Sequence, residues 1–160
     1  MRMFRHFTTL AAFGTVLLAA ASSFAQATPP SPLNGVTAVS CTFPVSVSNT
    51  WKDGDPQAVI KMAPVLTFVI DQIDTQEGSA RMVGVATGSH VTASLSGSNL
   101  HIMDLRSSGS LTITTIFGQE SKDGKLKAVH TRTDYLRYSV PGFVSQPEIS
   151  QHYGDCEIKR

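Results

Sequence analysis

The feature that most restricts the fold of this chain is a repeated alternation of apolar and polar side chains with a period of two. Alternation of this kind, together with β-branched runs, is typical of strands that bury one face, and Gly-containing turn sequences separate the segments. We therefore predict an all-β domain, an antiparallel meander forming a single barrel or sandwich, with at most one short helix. The strand segments are 43–48, 65–70, 81–86, 91–95, 100–103, 111–117 and 126–130.

Two of the connections carry the residues of tight hairpin turns. Gly97-Ser98 has the leading glycine of a type II′ turn, and Asp123-Gly124 suits a type I′ turn, in which both central residues need positive φ. The apolar faces predicted for three strands are Phe43, Val45 and Val47; Leu111, Ile113, Thr115 and Phe117; and Leu126, Ala128 and His130.

The one helix candidate runs from Asp55 to Met62. Asp55 has the side chain of an N-cap, Pro56 fits the first helical position, and Pro64 would stop the helix. The segment is short, so a helix and a non-helical structure both remain open here.

Residues 1–27 are predicted to be a secretory signal peptide. Arg2 and Arg5 precede an apolar run, 10–21, and small residues precede the two possible cleavage points after Ala25 and Ala27. The run is shorter than the roughly 20 residues of a spanning helix. We therefore expect a secreted or periplasmic protein with no membrane span after signal removal. A Pro-rich lead-in, 28–40, is expected to be disordered or extended, and 41–160 to form the single β domain.

Charge excludes one class of partner. Loss of the predicted signal removes two arginines, so the formal net charge of the chain changes from +1 to −1. A domain so close to neutral has no long-range field to attract nucleic acid, so we expect no nucleic-acid partner.

Cys41 and Cys156 are the only cysteines and lie near the two ends of the predicted domain. In an exported chain, two cysteines favour one disulfide, and neither lies in a C-x-x-C redox motif. We predict a structural Cys41–Cys156 bond.

No motif predicts a metal or a cofactor. The histidines of the mature chain (His90, His101, His130 and His152) lack metal-ligand spacing. Asp53-Gly54-Asp55 is not continued as a calcium loop and indicates a turn. We expect no metal site and no cofactor.

The densest polar cluster follows the last predicted strand. His130 and Arg132 share a face with Leu126 and Ala128, so an inward face would bring a His and an Arg into an apolar interior. Such groups need partners. A pocket for a carboxylate or another anion would supply one, and a strand end passing into solvent would do the same.

The tail from Ser150 to Cys156 contains His152, Tyr153, Gly154 and Asp155 beside the predicted disulfide. We expect Tyr153 to pack over that bond and Gly154 to permit a close approach of the backbone. His130, Arg132 and Tyr153 are the candidate ligand-binding residues. No G-x-S-x-G elbow is present, and no residue is assigned a catalytic role.

The chain resembles small exported proteobacterial proteins of unknown function. The resemblance lies in the segments 65–71, 111–117, 128–132 and 150–156, and it implies no activity. The strand rhythm is also similar to that of calycin-type barrels (lipocalins and relatives), which implies a barrel around a small ligand. The lipocalin Gly-x-Trp motif is absent, since Trp51 precedes Gly54.

Three functions are compatible with these observations. The first is an exported, non-catalytic β domain that binds a small molecule or a protein partner. The second is a secreted hydrolase that uses His130 or His152, which requires a carboxylate or hydroxyl within about 3 Å of the ring. The third is an envelope assembly component that pairs through an exposed sheet edge.

Overall fold

A computed structural model describes residues 30–52, 54–61, 64–84, 89–136 and 146–160. The predicted signal peptide lies outside the described residues. The described chain is all-β, as predicted, and no helix occurs in it. Its strands are β1 (Val39–Lys52), β2 (Asp55–Lys61), β3 (Leu66–Asp74), β4 (Ser79–Val83), β5 (Ser89–Ser96), β6 (Asn99–Leu105), β7 (Leu111–Glu120), β8 (Leu126–Leu136) and β9 (Gln146–Ile158).

The strands form a closed antiparallel barrel of eight strands with one extra strand. From β3 to β9 each strand pairs with the next, and β9 returns to pair with β1. The first half of β1 also pairs with β3, and its second half pairs with β2, which lies outside the closed ring. Closure gives every strand of the ring two neighbours, so the sequence's barrel alternative is the one the chain adopts.

The expected helix at Asp55–Met62 is a strand, β2, as far as Lys61; Met62 lies outside the described residues. The helical signals at Asp55 and Pro56 are local and weak. The preceding part of β1 offers a full antiparallel ladder instead, from Lys52 opposite Asp55 to Ser46 opposite Lys61. Pairing in register outweighs the capping preference, because a helix this short is marginal in water.

The barrel interior is filled by the inward faces of the strands. Leu126, Ala128 and His130 point inward, an orientation that the sequence left open. The predicted apolar face of β7 is inverted, because Thr114 and Ile116 are the fully buried residues of that strand. The buried apolar core comprises Leu33, Val39, Cys41, Phe43, Phe68, Ile70, Ile73, Ala80, Met82, Val91, Ala93, Leu100, Ile102, Ile116, Leu126, Ala128 and Cys156.

A register shift in β1 changes which side chains face inward. The pairing of β1 with β9 is interrupted between Thr42 and Val45. Phe43 before this irregularity is buried, but after it Ser46 is buried and Val45 is exposed. The predicted common face of Phe43, Val45 and Val47 is therefore wrong, since one extra residue in a bulge moves every following side chain to the other face.

The Pro-rich lead-in covers one end of the barrel. Residues 32–35 form a turn rather than the extended or disordered segment that was expected, and Leu33 of this turn is buried in the core. The Ser31 hydroxyl donates to the carbonyl of Ser98 in the β5–β6 turn (3.3 Å). This end of the barrel is therefore closed, and the opposite end carries the β6–β7 turn.

The disulfide joins the first and last strands of the ring. Cys41 lies directly opposite Cys156 in the β1–β9 ladder, and the two residues are bonded as predicted. Neither is exposed. Tyr153 does not pack over the bond, because it lies on the outer face of β9, where its hydroxyl donates to Gln151 Oε1 (2.8 Å).

Gly154 permits the close approach expected of it. A Cβ atom at this position would lie 2.0 Å from the Thr42 carbonyl oxygen and 2.7 Å from Phe43 Cα. Both neighbours are backbone atoms of the bulged part of β1, so a change of side-chain rotamer cannot relieve the clash. Only glycine fits between β9 and the bulge.

Reduction of the disulfide should lower the free energy of unfolding by about 4 kcal/mol, because the bond closes a loop of 115 residues in the unfolded chain. The measurement is urea unfolding of the oxidised protein and of the same protein kept reduced by dithiothreitol. The variant Cys41→Ala/Cys156→Ala, unfolded without reductant, should match the reduced protein apart from a small cavity cost. Equal midpoints for oxidised and reduced protein would contradict this account.

Gly154→Ala should destabilise the protein by about 2 kcal/mol or more, since the added methyl group forces the backbones of β1 and β9 apart. Thermal unfolding measures the change. Glu157→Ala, at an exposed position of the same strand, is the matched control and should stay within about 0.5 kcal/mol of the parent protein. A Gly154→Ala protein as stable as this control would show that the bulge adjusts freely.

Candidate functional site

The open end of the barrel contains a cavity of about 410 Å³. The ends of β4, β6 and β8 and the beginnings of β3, β7 and β9 surround it. Its lining residues are Leu66, Met82, Asp104, Arg106, Ser110, Thr112, His130, Arg132, Ser150 and His152. Apolar Leu66 and Met82 lie together with hydroxyl, imidazole and charged groups, the composition of a site that holds a small molecule and orients it.

His130 forms the boundary between the cavity and the core. Its ring lies against Phe68 (ring centres 5.2 Å apart) and Phe43 (5.9 Å). Its Nδ1 atom is 2.8 Å from the hydroxyl oxygen of Thr114, which is fully buried. Burial, followed by the charge of the nearby His152 and then that of Arg132, lowers the pKa of His130 to about 4. The ring is therefore neutral at physiological pH, and Nε2 is the nitrogen that remains for a ligand.

His152 lies opposite His130 in the β8–β9 ladder, with ring centres 6.0 Å apart. Burial and the charge of Arg132 lower the pKa of His152. Its Nδ1 atom is buried and has no hydrogen-bond partner among the residues that the structure describes. Buried polar atoms usually have a hydrogen-bond partner, so this nitrogen is an unsatisfied polar position in a residue that lines the cavity.

Two arginines lie at the mouth, Arg106 directly after the end of β6 and Arg132 in β8, and each is paired with the aspartate two residues away in sequence. Arg106 Nε lies 2.9 Å from Asp104 Oδ2, and Arg132 Nε lies 2.5 Å from Asp134 Oδ2. Burial raises the pKa of Asp134, but hydrogen bonds from Ser110 and Arg132 and the charges of both arginines outweigh it, so the pKa is lowered. Asp134 therefore stays ionised and fixes Arg132 at the edge of the cavity.

The predicted candidate residues do not all meet. His130 and Arg132 both line the cavity, as one of the two alternatives from the sequence required. Arg132 is also the point at which β8 reaches solvent. The anion pocket and the strand end in solvent, the two alternatives from the sequence, therefore describe neighbouring parts of one strand. Tyr153 lies outside the barrel, in an exterior groove with Phe117 and Lys127, and does not join them.

Sequence reasoning missed the other half of the site. Asp104 lies near the end of β6 and Arg106 directly after it; Ser110 directly precedes β7, and Thr112 lies near its start. The Asp104 and Arg106 side chains are two residues apart in sequence, the same spacing as His130 and Arg132 on β8. Only the closure of the barrel brings the two pairs to one opening.

The hydrolase alternative requires a hydroxyl or carboxylate group next to a histidine, and the Thr114 hydroxyl is such a partner for His130. Thr114 is completely buried, however, which leaves no path for a substrate to reach its hydroxyl.

Within the described ranges, no cluster of three or more His, Cys, Asp or Glu side chains is arranged to hold a metal ion. In the same ranges, no helix is long and apolar enough to cross a membrane.

Comparison of the chain with protein-family models, curated proteins and solved structures finds no match.

The stability of the protein should fall as pH decreases from about 6.5 to about 4. His130 is neutral in the folded protein down to about pH 4, whereas in the unfolded chain it takes up a proton near pH 6.5. The unfolded chain then binds more protons, so the free energy of unfolding decreases by about 2 kcal/mol between about pH 7 and about pH 4.5.

Urea unfolding at the two pH values measures this loss. His130→Gln, which keeps a hydrogen-bonding group beside Thr114, should lose markedly less stability over this range. His90→Gln removes an exposed histidine of β5 and should behave like the parent protein. An identical loss in the His130→Gln protein would show that other groups cause the pH dependence.

Proposed function

We propose that this protein is an exported, non-catalytic barrel that binds a small molecule in the cavity at its open end. The observation that carries the proposal is the cavity itself. Its volume of about 410 Å³ lies within the range of about 300–1,000 Å³ that is usual for small-molecule sites. A closed barrel of eight strands is wide enough to be filled by side chains or to hold one small ligand, and here part of the interior is left as the cavity.

The shape of the barrel supports a carrier. The lead-in closes one end with Leu33 and leaves the other end as the entrance. His130 lines the cavity and packs against Phe43 and Phe68 of the core, so these three rings form the floor of the cavity. A ligand would therefore enter by the mouth, rest on this floor and leave by the same route.

The disulfide supports the location. A buried bond between the first and last strands of the ring points to an oxidising, exported environment. We propose a secreted or periplasmic protein on this basis and on the predicted signal peptide. The strand rhythm that resembles calycin-type barrels points toward the same kind of function.

Binding of N-phenylnaphthylamine, an uncharged dye that fluoresces in apolar sites, tests the proposal. The folded protein should increase its fluorescence in a saturable way. Ser150→Phe, which places an aromatic ring in the cavity lining, should abolish the increase. Gln119→Phe adds the same ring at an exposed position of β7 and should leave it unchanged.

The result is interpreted together with circular dichroism and thermal unfolding of each variant, which show that the barrel is folded. Absence of saturable binding to the folded parent protein would overturn the proposal. Equal binding by the Ser150→Phe protein would place the dye elsewhere and overturn it as well.

A further inference from the structure

We propose that the cavity takes an amphipathic organic anion, a small molecule with an apolar body and one carboxylate- or sulfonate-type head held by Arg106 and Arg132. This inference rests on the proposed small-molecule function and adds the chemical class of the ligand. The apolar body would lie on Leu66 and Met82, and the head would lie at the mouth.

The exposure of the charged side chains determines which sign of charge a ligand meets. The arginine side chains are 48% and 57% exposed for Arg106 and Arg132. Their carboxylate partners, Asp104 and Asp134, are only 10% and 15% exposed. The acids are thus covered, and the guanidinium groups form the accessible charged surface of the mouth.

The arginines keep hydrogen-bonding capacity for a ligand. A guanidinium has five N–H donors, so even a contact that used two of them on an aspartate would leave three. The remaining donors lie in a fixed plane, which matches the planar geometry of a carboxylate. Their aspartates hold both groups in place, so little side-chain entropy is lost when an anion binds.

The two mouth pairs act on one another. The positive charges of Arg132 and of Arg106, which directly follows β6, both lower the pKa of Asp134 on β8. The charge of Arg132 also reaches His130 and His152 inside the cavity, where it lowers the pKa of both rings. Both rings therefore favour the neutral form, and the guanidinium groups are the more exposed charges of the two ion pairs beside them.

The rest of the lining suits an amphipathic molecule rather than a bare ion. Ser110, Thr112 and Ser150 provide hydroxyl groups near the mouth, and Leu66 and Met82 provide apolar surface. A free inorganic anion would leave this apolar surface in contact with water. Burial of an apolar body there adds affinity that an inorganic ion lacks.

A third carboxylate, in addition to the arginine-paired Asp104 and Asp134, lies near the proposed anion. Glu148 on β9 lies opposite Asp134 in the ladder and, with Arg132 and Ser150, lines a smaller recess of about 190 Å³ at the rim. It is not among the residues that line the main cavity. The negative charge of Glu148 beside Arg132 would weaken binding of an anionic head. Removal of this charge should therefore strengthen that binding.

Two dyes with the same aromatic body separate charge from shape. Anilinonaphthalene sulfonate carries an anionic head, and N-phenylnaphthylamine lacks it. Fluorescence titration of the folded protein should give an affinity for the sulfonate at least tenfold higher. Equal affinities would overturn the anion inference and leave the proposed cavity function standing, whereas absence of binding by both dyes would overturn that function itself.

Variants of the mouth locate the effect. Arg132→Gln/Asp134→Asn removes an ion pair without leaving a buried charge unpaired, and Arg106→Gln/Asp104→Asn does the same at the end of β6. Each should reduce affinity for the sulfonate about tenfold and leave N-phenylnaphthylamine binding within about twofold. Glu148→Gln should raise sulfonate affinity a few-fold. Lys127→Gln removes a positive charge from the outer face of β8 and serves as the control.

Three results would contradict the assignment. The first is sulfonate binding that both double variants retain at full strength. The second is an equal loss in the Lys127→Gln protein, which would indicate attraction by overall charge. The third is displacement of the dye by inorganic sulfate at the same concentration as by naphthoate, which would indicate a simple ion site without a role for the apolar body.

Discussion

The pairing of β1 with β9 is the interaction on which the rest of the structure depends. Every other neighbour in the ring is also a neighbour in sequence, apart from β3, which joins the first half of β1. The β1–β9 ladder brings together the two ends of the domain, and the Cys41–Cys156 bond lies within it. Contacts so distant in sequence carry a large loop-closure cost, and a covalent bond at that point reduces it in the unfolded chain.

The same ladder contains the bulge that shapes the site. The close approach of Gly154 to Thr42 and Phe43 occurs where the pairing shifts. Beyond it, Ser46 comes opposite His152, and the inward face of β1 becomes polar. The change from an apolar interior to a polar cavity therefore begins at the bulge, and His130 with its Thr114 contact continues it on β8 and β7.

The sequence allowed prediction of the class of fold and of the disulfide, because period-two patterns and a single pair of cysteines are strong signals. It did not allow prediction of β9, whose Gln, Glu, His and Asp residues hide a strand that is held by partners on both sides. The face of β7 was wrong because Thr114 is buried through its contact with His130, which periodicity does not register. The face of β1 was wrong because a bulge leaves no periodic signal.

The candidate site was half predictable for a related reason. His130 and Arg132 stood out because a charged residue continued an apolar face. On β6, Asp104 continues the face of Leu100 and Ile102 in the same way, and Arg106 follows directly after the strand ends. In a closed barrel, the ends of alternate strands meet at one opening, so equivalent departures from an apolar face on β6 and β8 converge there. Once the barrel is known, a strand whose inward face changes from apolar to charged residues identifies the end of the barrel that forms the mouth. The Asp–Arg pairs at the ends of β6 and β8 then identify the side of the mouth where the charged group of a ligand would be held.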